Sequence, residues 1–279
     1  MYDNTIYSDK ELKKIQALEL QILKEVVLVC DNNDIEYFLI GGTALGAIRH
    51  NGFIPWDDDI DIGMTRENYE KFIKIAPGVL SSQYEVQTPN NKYSPYLYTK
   101  VRLNDTVFME YANHNNNRMN HGVYIDIFPF DAVPDDDKKY LKQFKKTMNL
   151  IDLWSLRESG SISTPPTNFK QRLKAFMRFF PHILCKIIPR AVIVKKVNRT
   201  ITKYNGTEQK ALSCLFFPIM KTEYIKLENL YPLKRHIFED LQANIPNEID
   251  AYLTTHYGDY MQLPPIDKRF GHKPYKVEV

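Results

Sequence analysis

The stretch "GGTALGAIRHNGFIPWDDDIDIG" runs from Gly41 to Gly63 and decides how the chain is read. It joins a glycine pair to four carboxylates in five positions: Asp57, Asp58, Asp59 and Asp61. Side chains alternate faces along an extended segment. Asp57, Asp59 and Asp61 then point one way, and Asp58 and Ile60 the other. Asp59 and Asp61 would lie roughly 6.5 Å apart along a strand. Like charges this close raise each other's pKa unless a cation intervenes. A hard divalent ion with oxygen ligands answers that repulsion, and Mg²⁺ binds one or two carboxylates together with substrate phosphates. The competing reading is a wet loop of turn and cap residues.

Two features favour the metal reading. Gly41-Gly42 follows "IEYFLI", a short apolar strand, and precedes "TALGAIRH", a helix with Thr43 at its start and Asn51-Gly52 as its stop. Backbone without side chains can approach a phosphate, and a helix start offers free N–H groups. The second feature is Asp126 in "GVYIDIFPFD", flanked by Ile125 and Ile127. An unpaired carboxylate in so apolar a strand is costly, so it faces a specific partner or the same cleft. A third carboxylate from a distant strand suits two-metal phosphoryl transfer, as ligand and as proton acceptor.

Outward from these motifs, "SDKELKKIQALELQILKEVVLVCDNN" spaces Leu12, Ile15, Leu18, Ile22, Val26 and Val29 as a helix, opened by a Ser8/Glu11 capping box. "DDDIDIGM" predicts the next strand and "TRENYEKFIKIA" a helix capped by Thr65. "SQYEVQTP", "YLYTKVRL", "TVFMEYA" and "HGVYIDIFPFDAVP" read as strands, and a helix is predicted from Asn247 to His256. The class is α/β in the α+β sense, a small mixed sheet with flanking helices. Residues 1–134 form the expected catalytic core, 135–205 a basic helical region and 206–279 a C-terminal segment packing on or closing the core. "GSISTPPTN" (160–168) is the expected internal linker.

The 279 residues carry a net charge of only +3, so no nucleic-acid partner is expected. The start of the chain has no secretory pattern, and no run approaches the roughly 18 apolar residues of a membrane span. Cys30, Cys185 and Cys214 form no CxxC pair, which fits reduced thiols in a cytosol. Between Ser159 and Thr207 there is no acidic residue. Ten lysines and arginines lie there, from Lys170 to Lys203, interleaved with apolar residues at three- and four-residue spacing. A basic amphipathic segment over 168–203 can lie on an anionic membrane surface, or cover the core with its apolar face. The expected location is cytoplasmic, peripheral at the inner face of the cytoplasmic membrane.

"GGTALGAIRHNGFIPWDDDIDIG", "GVYIDIFPFD" and "YGDYMQLPP" closely resemble the LicD family of phosphocholine transferases and their relatives, including fukutin-related ribitol-phosphate transferases. The resemblance implies a nucleotidyltransferase-like fold. It matches Gly41, Gly42 and Thr43 to a phosphate-cradling turn, Asp59 and Asp61 to a metal-binding pair, Asp57 to the acidic residue before them, and Asp126 to the third carboxylate. The implied cofactor is Mg²⁺, as one or two ions, with Mn²⁺ an alternative. The implied reaction starts from CDP-choline or another CDP-alcohol. A hydroxyl of a glycan or lipid-linked glycan attacks the distal phosphorus, and CMP leaves. Two rival functions stay open: a nucleotidyltransferase releasing pyrophosphate, and a non-catalytic Ca²⁺-binding protein.

Lys100 and Arg102 share a strand face and would neutralise the diphosphate, or else form an ordinary exposed face. A quaternary ammonium is held by aromatic faces, and Trp56, Tyr93, Tyr96 and Tyr98 are the candidates for such a cage. His121, Arg49, His50 and His272 are weaker site candidates, each with a plain structural role available.

Overall fold

The structure, a computed structural model, describes residues 7–159, 168–221, 223–272 and 274–279; the side chains of Gln171, Lys174 and Ala175 also fall outside it. The expected linker at 160–168 lies almost wholly outside the described residues.

Helix α1 (Asp9–Asn32) opens with the capping box formed as predicted: the Glu11 amide donates to Ser8 Oγ, and the Glu11 carboxylate accepts from the Ser8 amide. Its apolar stripe, including Ile15, Ile22 and Val26, is buried against the sheet. Strand β1 (Phe38–Leu39) is only two residues long, and α2 (Gly41–His50) begins at the glycines themselves. Both glycines therefore belong to the helix's first turn rather than to a turn before it. Asn51 closes α2 in the left-handed conformation. Strand β2 (Asp61–Thr65) begins at Asp61, so Asp57–Ile60 lead into the strand rather than lying within it. Helix α3 (Arg66–Val79) follows Thr65, whose hydroxyl accepts from the Asn68 side chain instead of capping a backbone amide.

Strands β3 (Tyr84–Gln87), β4 (Thr99–Leu103), β5 (Val107–Glu110) and β6 (Tyr124–Val133) come next. The main sheet runs β1-β2-β6-β4-β3. β2 and β6 are parallel; the β1–β2, β6–β4 and β4–β3 pairs are antiparallel. β6 is central and buried along nearly its whole length, as its continuous apolar run requires.

Helices α4 (Asp137–Glu158), α5 (Phe169–Cys185) and α6 (Arg190–Ile201) make up the basic region. α4 and α6 form a second core with the end of β6, through Val133, Tyr140, Trp154, Ile193 and Val197. Strands β7 (Ala211–Ser213) and β8 (Tyr224–Lys226) were not legible in the sequence. β7 pairs with residues 131–133 of β6 and so joins the same sheet. Helix α7 (Leu227–Leu230), the hairpin β9 (Lys234–Phe238) and β10 (Leu241–Ile245), and α8 (Ile249–Tyr257) complete the C-terminal segment. α8 starts two residues later than predicted. β11 (Pro274–Glu278) pairs antiparallel with β5, so the last residues are fastened to the core.

One ion pair ties these layers together. Arg66, at the start of α3, donates to both oxygens of the buried Asp131 on β6 (2.8 and 2.6 Å). Asp131 also accepts from Asn205 (2.7 Å), beyond α6. Removing one member of a buried pair leaves the other charge uncompensated. Asp131→Ala is expected to lower unfolding stability by about 3 kcal/mol in urea titration. Asp240→Ala, which breaks the exposed Lys24–Asp240 pair, should leave the urea midpoint near that of wild type.

Candidate active site

The site is built where β2 meets β6. Their parallel register sets Asp61 directly beside Asp126, and the Asp126 amide donates to Ile60 O (2.8 Å). In-register residues on neighbouring strands share a face, so both carboxylates point to the same side. Asp57 and Asp59 join them from the segment before β2. Burial, and then the neighbouring carboxylates, push the Asp57 and Asp61 carboxyls well above the ordinary range. Asp126 is pushed up to about 6 by burial, against the pull of Lys100.

The start of α2 packs against this cluster. Gly41 has φ +54°, which favours glycine, and a Cβ there would lie 3.5 Å from Asp61 Oδ2. A Cβ on Gly42 would lie 2.8 Å from Asp57 Oδ2, closer than real Cβ contacts come. The glycines thus let carboxylates reach the helix start. Ala44 is the first α2 residue whose amide returns to a carbonyl one turn back, at Ile40 O (3.0 Å). The Gly41 amide donates to the Tyr252 hydroxyl (2.9 Å). The amides of a helix's first turn have no intrahelical acceptor and favour anions. Thr43 differs from expectation: its buried hydroxyl accepts from the Asp61 amide (2.8 Å), tying α2 to β2.

Two further carboxylates had no signal in the sequence. Glu223, just before β8, is buried and pushed up to about 8 by burial, while the Tyr252 hydroxyl donates to it. It reaches the same place as Asp61: a Cβ on Gly41 would lie 3.9 Å from Glu223 Oε1. Glu19, on α1, is buried behind the cluster with Oε2 unpartnered.

Asp58 does not turn away from Asp59 as strand alternation predicts, since oxygens of the two carboxylates come within 4.8 Å of each other. It is fully buried, accepting from the Tyr7 hydroxyl (2.5 Å) and from the His272 amide (2.8 Å), with His272 Nδ1 at 2.9 Å. Its hydrogen bond with Asp58 raises the His272 pKa, so the imidazolium form is favoured, and Nδ1 lies 3.9 Å from Asp59 Oδ2. Asp58, Asp59 and His272 lie within mutual reach of one ion. Both Asp58 oxygens are already engaged, however, and that trio fastens the C-terminal segment to the site.

Lys100 and Arg102 are buried on β4, between β3 and β6, rather than on an open face. Lys100 Nζ donates to both oxygens of Asp126 (2.7 and 2.9 Å) and lies 3.4 Å from the Tyr124 ring centre, 4.5 Å from Tyr96 and 5.5 Å from Tyr98. Two of the four aromatic residues expected to hold choline, Tyr96 and Tyr98, thus lie around a lysine, together with Tyr124. Tyr93 lies apart, beside Lys92 and Arg118. Arg102 is spent on Gln87 (2.8 Å), Gly122 O (2.7 Å) and Glu110 (3.5 Å), so it holds structure rather than facing the cluster. His121 contacts Asn116 O (3.0 Å) and acts within the protein, while Arg49 donates to Tyr260 O (2.7 Å) at the edge of a cavity. Trp56 sits under the Arg269 guanidinium (5.1 Å) and lines a cavity of about 660 Å³ with Leu45, Arg49, Tyr257 and Tyr260. The Tyr257 hydroxyl, 3.9 Å from a Cβ on Gly41, connects this cavity to the carboxylates.

A family model described as "LicD/FKTN/FKRP, nucleotidyltransferase domain" matches residues 34–152. Residues 34–152 are thus similar to that domain, over somewhat less than half of the chain. They contain the glycine pair, the aspartate run, Lys100 and Asp126. The chain is 26% identical over 276 residues to the lipopolysaccharide cholinephosphotransferase LicD of Haemophilus influenzae, covering 96% of each chain. It is 27% identical over 166 residues to the human ribitol 5-phosphate transferase FKRP, covering 57% of this chain and 30% of that one. An uncharacterized protein of Rickettsia typhi, RT0683, is 32% identical over 144 residues, half of this chain and 44% of its own. The protein is a LicD-like transferase.

The donor set suits a hard cation: it is oxygen throughout and net negative, gathered from β2, β6 and the segment before β2. Gly42→Ala is expected to displace Asp57 and lower kcat/KM for transfer about 100-fold, the scale of a misplacement near 1 Å. Its unfolding midpoint should stay near wild type, which separates misplacement from unfolding.

Proposed function

We propose that the protein moves phosphocholine from CDP-choline, or the corresponding phosphorylated alcohol from another CDP-alcohol, to a hydroxyl of a glycan or lipid-linked glycan. The observation that carries this reading is the in-register pair Asp61 and Asp126, with Asp59 beside them, set against the glycine start of α2. The likeness to a lipopolysaccharide cholinephosphotransferase over nearly the whole chain supports the choice of alcohol and acceptor class.

Asp59, Asp61 and Asp126 would hold Mg²⁺, with Asp57 and Glu223 at its margin. A bound divalent ion neutralises phosphate oxygens and the charge that develops on the leaving group. The first amides of α2 orient the phosphate bearing the alcohol. The cavity beside Trp56 and Tyr257, with Arg49 and Arg269 on its wall, receives the rest of the donor. The acceptor oxygen forms a bond to the phosphorus distal to cytidine, and the bond from that phosphorus to the CMP oxygen breaks. The hydroxyl proton passes to an Asp126 oxygen. Burial raises that carboxyl toward the neutral range, where proton acceptance and later release are both accessible. Lys100 orients Asp126 through both oxygens. His272 and the segment behind it border the site and limit water.

The test is CMP release from CDP-choline, CDP-ribitol, CDP-glycerol and CDP-ethanolamine, with pyrophosphate release from a nucleoside triphosphate (CTP) measured in parallel. CMP is expected only with acceptor and Mg²⁺ present, to vanish with a chelator and to return on adding Mg²⁺. Asp61→Asn and Asp126→Asn should each lower kcat at least about 1000-fold, since the charge stabilisation would be lost. CMP release at wild-type rate by Asp61→Asn would refute the assignment, and pyrophosphate as product would move the protein to the nucleotidyltransferase reading.

A further inference from the structure

Helix α5 turns its apolar side outward. Phe169, Leu173, Phe176, Phe180 and Leu184 follow one another at three- and four-residue steps, and Ile187 continues the line just past the helix end. All six are exposed, Phe169 and Ile187 to 78%. At 100° per residue they fall within one arc of about 80°. The opposite side of the helix is the one that docks. Arg178 donates to Ser155 Oγ (3.0 Å), and His182 Nδ1 lies 2.7 Å from Leu156 O, both on α4. The helix is thus fastened to the protein by polar contacts, and its apolar stripe covers none of the core. Lys170, Arg172 and Lys186 flank the stripe on its two sides, and no acidic residue occurs anywhere from Ser159 to Thr207.

We propose that this face of α5 seats the protein on an anionic membrane surface, with the stripe immersed at the level of the acyl boundary and the flanking cations among the headgroups. A contiguous exposed apolar face marks an interaction surface. An apolar stripe bordered by lysine and arginine is the pattern of a helix lying in the membrane interface. The uniform sign of charge selects a negatively charged lipid surface over a neutral protein partner. The helix lies on the bilayer rather than crossing it, since no helix among the described residues is long and apolar enough to span one. Arg178 belongs to the docking side and takes no part in lipid contact. The inference stands on the geometry of α5 and is independent of the donor and of the metal.

The experiment is co-sedimentation of the full chain with vesicles of phosphatidylglycerol and phosphatidylcholine in equal parts, and with vesicles of phosphatidylcholine alone. Binding is expected to the anionic vesicles, weakened by high salt. Replacing Phe176→Ser and Phe180→Ser together should lower the partition coefficient at least about tenfold, without changing the unfolding midpoint, because both side chains are already exposed. Lys170→Gln, Arg172→Gln and Lys186→Gln together should lower it about fivefold per charge. The cations Lys139, Lys142, Lys196 and Arg199, which line a separate groove between α4 and α6, serve as the control. Lys139→Gln with Lys142→Gln should leave binding within about twofold. The proposal is overturned if anionic vesicles do not bind at low salt, or if the Phe176/Phe180 variant binds as well as wild type. It is equally overturned if the groove variant alone loses binding, or if sedimentation equilibrium shows a dimer that the Phe176/Phe180 variant abolishes while vesicles are ignored.

Discussion

Mutual repulsion among carboxylates is the constraint around which this protein is organised. Asp57, Asp59, Asp61, Asp126 and Glu223 converge at one end of the β2–β6 pair, with Glu19 buried behind them. Burying an uncompensated charge costs several kcal/mol, so every neighbouring element bears on the cluster. The α2 start presents amide dipoles. Lys100 reaches in from β4, His272 comes from the far end of the chain, and Tyr252 hands a hydrogen bond to Glu223. Even the glycines answer to it, because the carboxylates occupy the space their side chains would fill.

Lys100 shows how closely the compensation is matched. Burying an ammonium is costly unless it is paired and hydrogen-bonded. Here both Asp126 oxygens accept from it, and three tyrosine rings surround it, each able to contribute about 0.5–2 kcal/mol by cation–π attraction. The pair leaves Asp126 with a fixed orientation beside Asp61. An aspartate shared by a fixed lysine and a candidate metal ion is held in place from two directions, which is what pre-organisation of a phosphoryl-transfer site requires.

Residues whose role follows from local spacing were legible in the sequence. The Asp57–Asp61 run, the glycine pair and Asp126 in its apolar strand all rest on neighbours a few positions away. So do the capping box of α1 and the Asn51 stop of α2. The opposite aim expected of Asp58 fails because Asp57–Ile60 lie ahead of the strand. What could not be read depends on distant partners. Lys100 and Arg102 look like an open strand face until β3 and β6 close on either side of β4. Tyr96 and Tyr98 read as a cage for a ligand, but register places Lys100 among them. Glu223 lies in an unremarkable run before β8 and becomes part of the site only because β7 and β8 extend the sheet. The short strands β7 to β11 carry too little periodicity to be seen. The apolar spacing of α5 was visible, but spacing alone does not say which side of a helix is covered.

That last point is settled by how the cores are divided. The larger core lies under the sheet and supports the carboxylates. The smaller one is closed by α4, α6 and the end of β6, with Trp154 fixed by its donation to Pro95 O (2.6 Å). The apolar stripe of α5 contributes to neither. A helix needed for stability would turn that stripe inward, because each large apolar side chain buried contributes about 1.5–3 kcal/mol. Here the polar side of α5 rests on α4 instead. An element arranged against its own burial preference needs a compensating partner outside the chain, and the cations along its borders specify the sign of that partner's charge.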